Sequence, residues 1–510
     1  MKKTLKKTGV AILTMAMLLS MGAMTAITAS AAGESITVSE STGLKAGDAV
    51  CVYKVATKTD SGWEWETPYK KVTGISWAQI GTFEDYSDKA MKLAVMLANV
   101  ENDTFVKGVV GTPISVSGAG YYLVKAAPQD AGFVAQPMLI EIKDGETPTI
   151  SYIKTSQISL TKVITKVNDS ADKVATGGKS AEAAAGETIH YRIVAEIPSY
   201  SPDATAIQDF VLTDKSDATL TSKKANTFKV VIGTAADTAV DAAGVIDASA
   251  VLDRKDGQNF TVTLPGMDPD TTDYAYDVQD NGGKYLIVEF DAVLGDDPTI
   301  SQGKGAGTTV DDAKRADANK NDVTLTYGNN YSTGGGSDTD GDGDVDKDDE
   351  QPELKDFADV YTSLLNINKT LNGTAAKKGD AGFALYADKG CTKVVRDEVK
   401  TDANGIVAFK GLASGTYYLK EKTTPGGYKT AAVATVKLDV DDAKAVYVAP
   451  AGFTAIADGG FETTIDNPSL ETLPATGGIG TYLFTIGGVS IVLLAGVLFV
   501  IYMKKRETEE

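Results

Sequence analysis

The chain has 510 residues, with 69 acidic against 49 basic side chains, a net charge of −20 and one histidine. That balance excludes a nucleic-acid partner, because no basic stripe is present to displace phosphate counterions. One histidine, His190, disfavours most hydrolase mechanisms and imidazole metal sites, and it reads as a strand residue. The two cysteines, Cys51 and Cys391, lie far apart and form no disulfide framework. In chain order, Lys2, Lys3, Lys6 and Lys7 precede an apolar stretch from Val10 to Met24 and a small-x-small site at Ala29-Ser30-Ala31. This is the order of a secretory signal peptide over 1–31, so the mature chain is expected to begin at Ala32 or Gly33. The remainder is too long for one ordinary domain and suggests three.

Residues 33–150 read as short alternating strands between Gly, Asp and Asn, among them Ala49 to Val55 and Gly120 to Val124. One helix is predicted from Lys89 to Val100, where Met91, Leu93, Ala94, Leu97 and Val100 recur at helical spacing. A second block, 156–331, opens with Ile158-Ser159-Leu160-Thr161-Lys162-Val163-Ile164 and closes with Val323 to Asn329. A Gly-rich acidic linker follows over 332–356, and a third block over 359–468 runs from Val360 to Asn467 in the same pattern. Strands of this length and spacing indicate β-sandwiches. The second and third blocks share a plan, with a lysine in an opening strand and an asparagine at the end of a closing one.

Within the linker, Asp338, Asp340 and Asp342 fall at positions 1, 3 and 5 of a twelve-residue EF-hand-type loop. Gly343 falls at 6, the Asp344 carbonyl at 7 and Asp349 at 12. The loop is expected to hold Ca²⁺ with a dissociation constant on the order of 10⁻⁴–10⁻³ M, the range of extracellular modules. The alternative is a solvated acidic linker.

The chain closes with Leu473-Pro474-Ala475-Thr476-Gly477-Gly478, an uncharged run from Tyr482 to Met503, and Lys504-Lys505-Arg506. About 20 apolar residues cross a bilayer core as a helix, so 482–503 is expected to span the membrane. The basic triplet then belongs to a cytoplasmic tail, 504–510, and leaves everything before Leu473 outside. Motif 473–478, apolar run and basic stop together resemble the cell-wall sorting signal of Gram-positive bacteria. The resemblance implies that a sortase cuts between Thr476 and Gly477 and passes the Thr476 acyl group to an amine on another molecule.

In the third block, Gly415-Thr416-Tyr417-Tyr418-Leu419-Lys420-Glu421 through Tyr428 resembles the E-box of sortase-assembled pilins, and is similar to the Cna B-type repeats of collagen-adhesin-like proteins. The implied fold class is all-β: three tandem Ig-like or Cna B-type sandwiches between a signal peptide and a transmembrane sorting helix. The resemblance implies an isopeptide bond between Lys369 and Asn467 with Glu421 as its acid. Chemically, burial disfavours a charged lysine and a charged carboxyl alike. Lys369 would then be a neutral nucleophile and Glu421 a neutral acid that polarises the Asn467 carboxamide and shuttles the proton, in a single turnover. In the second block the resemblance is to the isopeptide-forming middle domain of fimbrial shaft subunits. There Lys162 is the nucleophile, Asp214 the acid and Asn329 the acceptor. Asn330 and Asn321 stay open as acceptors, Asp209 as the acid and Lys166 as the nucleophile. The first block has Lys125 where the acid would stand, so it is expected to lack a crosslink and to be the least stable of the three.

Ile150-Ser151-Tyr152-Ile153-Lys154 occupies the place of the pilin motif between first and second domains, with Ile153 in place of proline. It makes Lys154 the expected amine that accepts Thr476 of the next subunit. A donor at one end and an acceptor near the other give head-to-tail, non-closing contacts and therefore filaments. The expected function is the major shaft subunit of a pilus at the cell wall, with sortase, identical subunits and a basal pilin or peptidoglycan as partners. A host or cell-surface ligand would follow from a role in adhesion. The alternative is a wall-anchored adhesin or minor pilin that does not polymerise. An enzyme with turnover is not expected.

Overall fold

The computed structural model describes residues 34–71, 88–98, 100, 104–200, 209–221, 227–254, 259–266, 277–301, 310, 313–328, 352–441, 446–456, 459–470 and 479–507. The signal peptide, Asn329, Asn330, the loop Asp338 to Asp349 and the motif 473–478 lie outside them.

In the N-terminal block, Ala49–Thr59 pairs along its length with Gly120–Ala127. Gly62–Trp65, Val106–Val109 and Met138–Ile142 complete a five-stranded sheet. Strand alternation gives this sheet two apolar faces. Val50, Val52, Val124 and Ile140 pack toward the small sheet of Ser35–Val38, Pro113–Ser115 and Thr149–Ile150. Tyr53, Val55, Leu123 and Leu139 face the other way, toward the helix Asp88–Ala98. That helix starts one residue before the predicted span Lys89 to Val100 and ends two residues short of it, and it buries Leu93, Ala94 and Leu97. The helix side of this sheet and the interior of the second block belong to one continuous core.

The second block is a sandwich of two mainly antiparallel sheets. Thr188–Glu196 pairs with both Leu160–Val167 and Tyr285–Leu294 in one sheet. Phe210–Ser216 pairs with Phe260–Leu264 and Asn321–Thr326 in the other. One element departs from the sequence reading. Glu353–Phe357, assigned to the linker, pairs antiparallel with Asn321–Thr326 and forms an edge of the second sheet. The acidic stretch therefore begins and ends on one hairpin of the middle sandwich. Period-2 patterning did not mark this strand, because an edge strand with one wet face alternates only weakly: Glu353 and Lys355 are exposed while Phe357 is buried.

The third block pairs its first strand, Ser363–Leu371, in parallel with its last, Phe461–Asn467. A second sheet, containing Gly382–Tyr386 and Gly415–Thr423, faces them. Middle and third blocks are joined by more than a tether. Asp359–Tyr361 adds in parallel to Ser180–Glu182, and Ala185 N donates to Gly411 O at 3.0 Å. Gly411 has φ +70°, and a Cβ there would come within 2.7 Å of the Ala185 Cβ. At the same junction the buried Arg315 guanidinium is bidentate to the buried Asp359, with Nε–Oδ2 2.6 Å and Nη2–Oδ1 2.8 Å. It also stacks 4.1 Å from the Phe357 ring centre. Desolvation pushes the Asp359 carboxyl above the usual carboxylate range, and Arg315 opposes that rise.

The C-terminal helix, Ile479–Glu507, is 29 residues long, enough for a bilayer core, and ends on Lys504, Lys505 and Arg506. Its two interior hydroxyls, Thr485 and Ser490, donate back to Thr481 O and Ile486 O at 2.7 Å. Neither hydroxyl is left for lipid to solvate.

Candidate crosslinking sites

Alternation builds the third-block site. Leu365, Ile367 and Lys369 point inward from the first strand, and Tyr417, Leu419 and Glu421 point inward from the facing sheet. Lys369 and Glu421 thus end apolar rows, and their polar heads are carried into the core by strand geometry alone. In the parallel register Lys369 lies opposite Ile465 and Leu371 opposite Asn467, so amine and carboxamide are one diagonal apart on the inner face. All three groups are buried, with relative exposures of 1% for Lys369, 4% for Glu421 and 0% for Asn467.

Asn467 Nδ2 donates to both oxygens of Glu421, at 2.7 and 3.0 Å. Glu421 Oε2 also accepts from Ala431 N at 2.6 Å, which fixes the carboxyl. Lys369 Nζ donates to Thr370 O at 2.7 Å and Ile465 O at 3.0 Å. Desolvation lowers the Lys369 pKa below that of a free lysine, while the Glu421 and Asp466 charges pull it back up. The arrangement therefore holds an amine whose neutral form is favoured by burial beside an amide whose nitrogen already contacts an acid.

The middle sandwich repeats the arrangement with different parts. Lys162 and Ile164 point inward from Leu160–Val167, and Phe210, Leu212 and Asp214 from Phe210–Ser216. Lys162 and Asp214 are both wholly buried and form a direct ion pair. The lysine Nζ sits 5.4 Å from the Tyr191 ring centre and 5.9 Å from that of Phe290. The runner-up residues stand elsewhere. Asp209 is exposed and caps Gly266 N at 2.8 Å, and Lys166 lies half-exposed beyond a bulge, opposite His190.

For the acceptor the geometry favours Asn321. Lys162 Nζ is 3.4 Å from Asp322 O, at the start of Asn321–Thr326. Asn321 is 0% exposed, and neither its Oδ1 nor its Nδ2 has a hydrogen-bond partner. Tyr327, six residues on and about 20 Å along an extended strand, donates instead to Ala131 O of the N-terminal block. Asn329 follows Tyr327, outside the described residues. Asn321 and Asn329 have the same strand parity, so alternation alone could not separate them. The deciding quantity is how far along the strand the lysine reaches.

Lys154 is exposed, as is the neighbouring Tyr152, while Ile153 is buried in the N-terminal core and Lys154 O accepts from Gln136 N at 2.8 Å. The backbone is thus pinned and the amine left in solvent. Lys125, which stands where the first block would need an acid, lies with its Nζ 4.9 Å from the Tyr53 ring centre. Among the described residues no cluster of three or more His, Cys, Asp or Glu side chains is arranged to hold a metal ion.

Residues 364–450 match the family described as SpaA, a prealbumin-like fold domain, and residues 465–510 match the LPXTG cell wall anchor motif. No curated protein matches the chain in sequence. Among solved structures, the T6 backbone pilin of serotype M6 Streptococcus pyogenes is similar with a TM-score of 0.54 at 15% identity, over 86% of this chain and 99% of that one. The major pilin SpaA of Corynebacterium diphtheriae gives a TM-score of 0.49 at 15% identity, over 86% of this chain and 100% of that one. The described T6 pilin is modular with three domains, and the sandwiches found here share that fold. The chain therefore has the fold of a Gram-positive backbone pilin, with a SpaA-type domain followed by an LPXTG cell-wall anchor.

Proposed function

We propose that this chain is the repeating shaft subunit of a sortase-assembled pilus, linked from Thr476 of one copy to Lys154 of the next. The observation that carries the proposal is the pairing of a sorting signal at the C-terminus with a solvent-exposed lysine on a pinned backbone between the first two sandwiches. Two internal isopeptide bonds stiffen the subunit, Lys369–Asn467 with Glu421 as acid and Lys162–Asn321 with Asp214 as acid. In each, the lysine gives a proton to the acid and its neutral Nζ attacks the asparagine Cγ. The acid passes its proton to Nδ2 and takes one from the attacking nitrogen, the Cγ–Nδ2 bond breaks, and ammonia leaves. Tension along the shaft then crosses covalent bonds inside both sandwiches. We further propose that Asp338, Asp340, Asp342, Asp344 and Asp349, spaced as in a twelve-residue EF-hand-type loop, bind Ca²⁺, tested by titrating the secreted chain with Ca²⁺ in a calorimeter.

The polymer is tested on denaturing gels of wall extracts. Wild-type cells give an SDS-resistant ladder that Lys154→Ala cells lack. A ladder that persists in the variant removes Lys154 from the reading. Its absence from the wild type points to a monomeric wall-anchored protein.

A further inference from the structure

The two crosslinking sites are built differently, and the difference leaves one group unaccounted for. In the third sandwich Glu421 accepts from Asn467 Nδ2, while Asn467 Oδ1 is buried without a hydrogen-bond partner. In the middle sandwich the acid is an aspartate, one methylene shorter, and its contact is with the lysine. Asn321 is left with both polar side-chain atoms buried and unpartnered, and so is the Tyr191 hydroxyl. The Tyr191 hydroxyl lies beside the Asn321 carboxamide. None of these three atoms makes a hydrogen bond of good geometry, yet Tyr191 and Asn321 are close enough to interact; a buried polar group left unsatisfied costs about 1–3 kcal/mol, and such groups call for a role.

Their placement is fixed by the strands. Tyr191 points inward from the centre of Thr188–Glu196, cross-strand from Ile164 and stacked on Phe290 at 5.1 Å. Its ring centre lies 5.4 Å from the Lys162 amine, and its hydroxyl lies beside Asn321, the first residue of a strand in the other sheet. A buried phenol is held protonated, as desolvation raises its pKa well above the ordinary value, so it can act as a donor throughout the reaction.

We infer that Tyr191 is the hydrogen-bond donor to the Asn321 carbonyl oxygen during formation of the middle-domain bond, the work that Asp214 is not placed to do. As Lys162 Nζ attacks Cγ, negative charge builds on Oδ1, and the Tyr191 O–H stabilises it without transferring its proton. Asp214 moves the proton from Nζ to the departing Nδ2. Afterwards the same hydroxyl bonds the carbonyl of the new amide. This role rests on Asn321 being the acceptor.

The test is Tyr191→Phe, which keeps the ring and removes only the oxygen. The secreted chain is made by cell-free synthesis, quenched in acid at intervals, and the fraction of each crosslinked tryptic peptide is read by mass spectrometry. The Lys369–Asn467 bond in the same molecule serves as an internal clock. The expected result is a Lys162–Asn321 bond that forms about 10²-fold more slowly, the usual cost of one missing oxyanion donor, with the third-domain bond unchanged. An unaltered middle-domain rate overturns the role. So does a slowed rate accompanied by lost hydrogen-exchange protection in Phe210–Ser216, which would make Tyr191 a packing residue only. Absence of any Lys162–Asn321 peptide from the wild type sinks the acceptor assignment and this role together, whereas a wild-type peptide with no effect of Tyr191→Phe sinks the role alone.

Discussion

Replacing Glu421 by glutamine is the sharpest perturbation of the third sandwich. Glutamine is isosteric, and its one oxygen can take the place of Oε2, which accepts from Ala431 N at 2.6 Å and Asn467 Nδ2 at 3.0 Å, while its NH2 replaces the acceptor of the 2.7 Å bond from Asn467 Nδ2. It cannot carry a proton between Lys369 and the leaving nitrogen. The bond is therefore expected not to form, and the chain keeps one ammonia, about 17 Da, relative to the wild type judged against its own sequence mass. The energetic consequence follows from the ring that stays open. Lys369 and Asn467 enclose a loop close to 100 residues, and cross-linking a loop of that length removes about 4.7 kcal/mol of denatured-state entropy. For a domain of 60–100 residues each kcal/mol moves the midpoint by roughly 4–8 °C, so melting should fall by about 20–40 °C. Intact mass and differential scanning calorimetry on the secreted chain read the two quantities separately. A Glu421→Gln protein with the wild-type mass deficit would refute the proton-shuttle argument. A missing bond with a midpoint shifted by only a degree or two would refute the loop-closure argument.

In the middle sandwich, Asn321→Ala should abolish the Lys162 crosslink and Asn329→Ala should leave it intact, as read from tryptic peptides; the reverse result restores Asn329 as acceptor. The Lys369 pKa gives a pH prediction. Its folded value lies below the unfolded one, so between the two the unfolded chain binds the extra proton and stability rises with pH; below that window the cost of burying the ammonium is felt in full. Urea midpoints of an unbonded Asn467→Ala protein should therefore climb as pH is raised toward that of free lysine. Adding Lys369→Met should flatten the climb, and an equal slope in both proteins would refute it. Arg315→Met leaves Asp359 buried without its cation and should cost about 3–5 kcal/mol, seen as early exchange of Asp359–Tyr361 amides; unchanged exchange would show that the strand pairing alone holds the junction. Gly411→Ala must strain both a positive φ and the approach to Ala185, and should loosen the same junction by about 1–3 kcal/mol, measured by exchange at Ser180–Glu182.

Much of this architecture was legible because strand parity and core position are written in the same residues. Leu365-x-Ile367-x-Lys369 and Phe210-x-Leu212-x-Asp214 announce that a charged side chain continues an apolar row, and the fold places each head in the core accordingly. The helix at Asp88–Ala98 was legible for the corresponding reason at period 3.6. Distance along a strand is not written there, which is why the sequence points to Asn329 as acceptor and leaves Asn321 only as an alternative. Nor is strand pairing across a long insertion: Glu353–Phe357 joins Asn321–Thr326 over an intervening stretch that reads as linker. Arg315, Asp359 and Tyr191 went unremarked because a single Arg, Asp or Tyr carries no periodic signal. Only their convergence in three dimensions does.

That hairpin strand has a mechanical meaning. If the proposed bonds join Lys162 to Asn321 and Lys369 to Asn467, the backbone between Asn321 and Lys369 belongs to neither covalent ring, and any pull down the proposed shaft would have to pass through it. Asp322 lies opposite Phe357 at the hairpin's open end, so a pull on the third sandwich strips the strand rung by rung instead of shearing it. Once it yields, the 36 residues from Asp322 to Phe357 span about 120 Å at full extension, and the Arg315–Asp359 pair is expected to set when this begins. A single stretched fibre would show it as recoverable lengthening, and the Arg315→Met change would bring its onset to lower force.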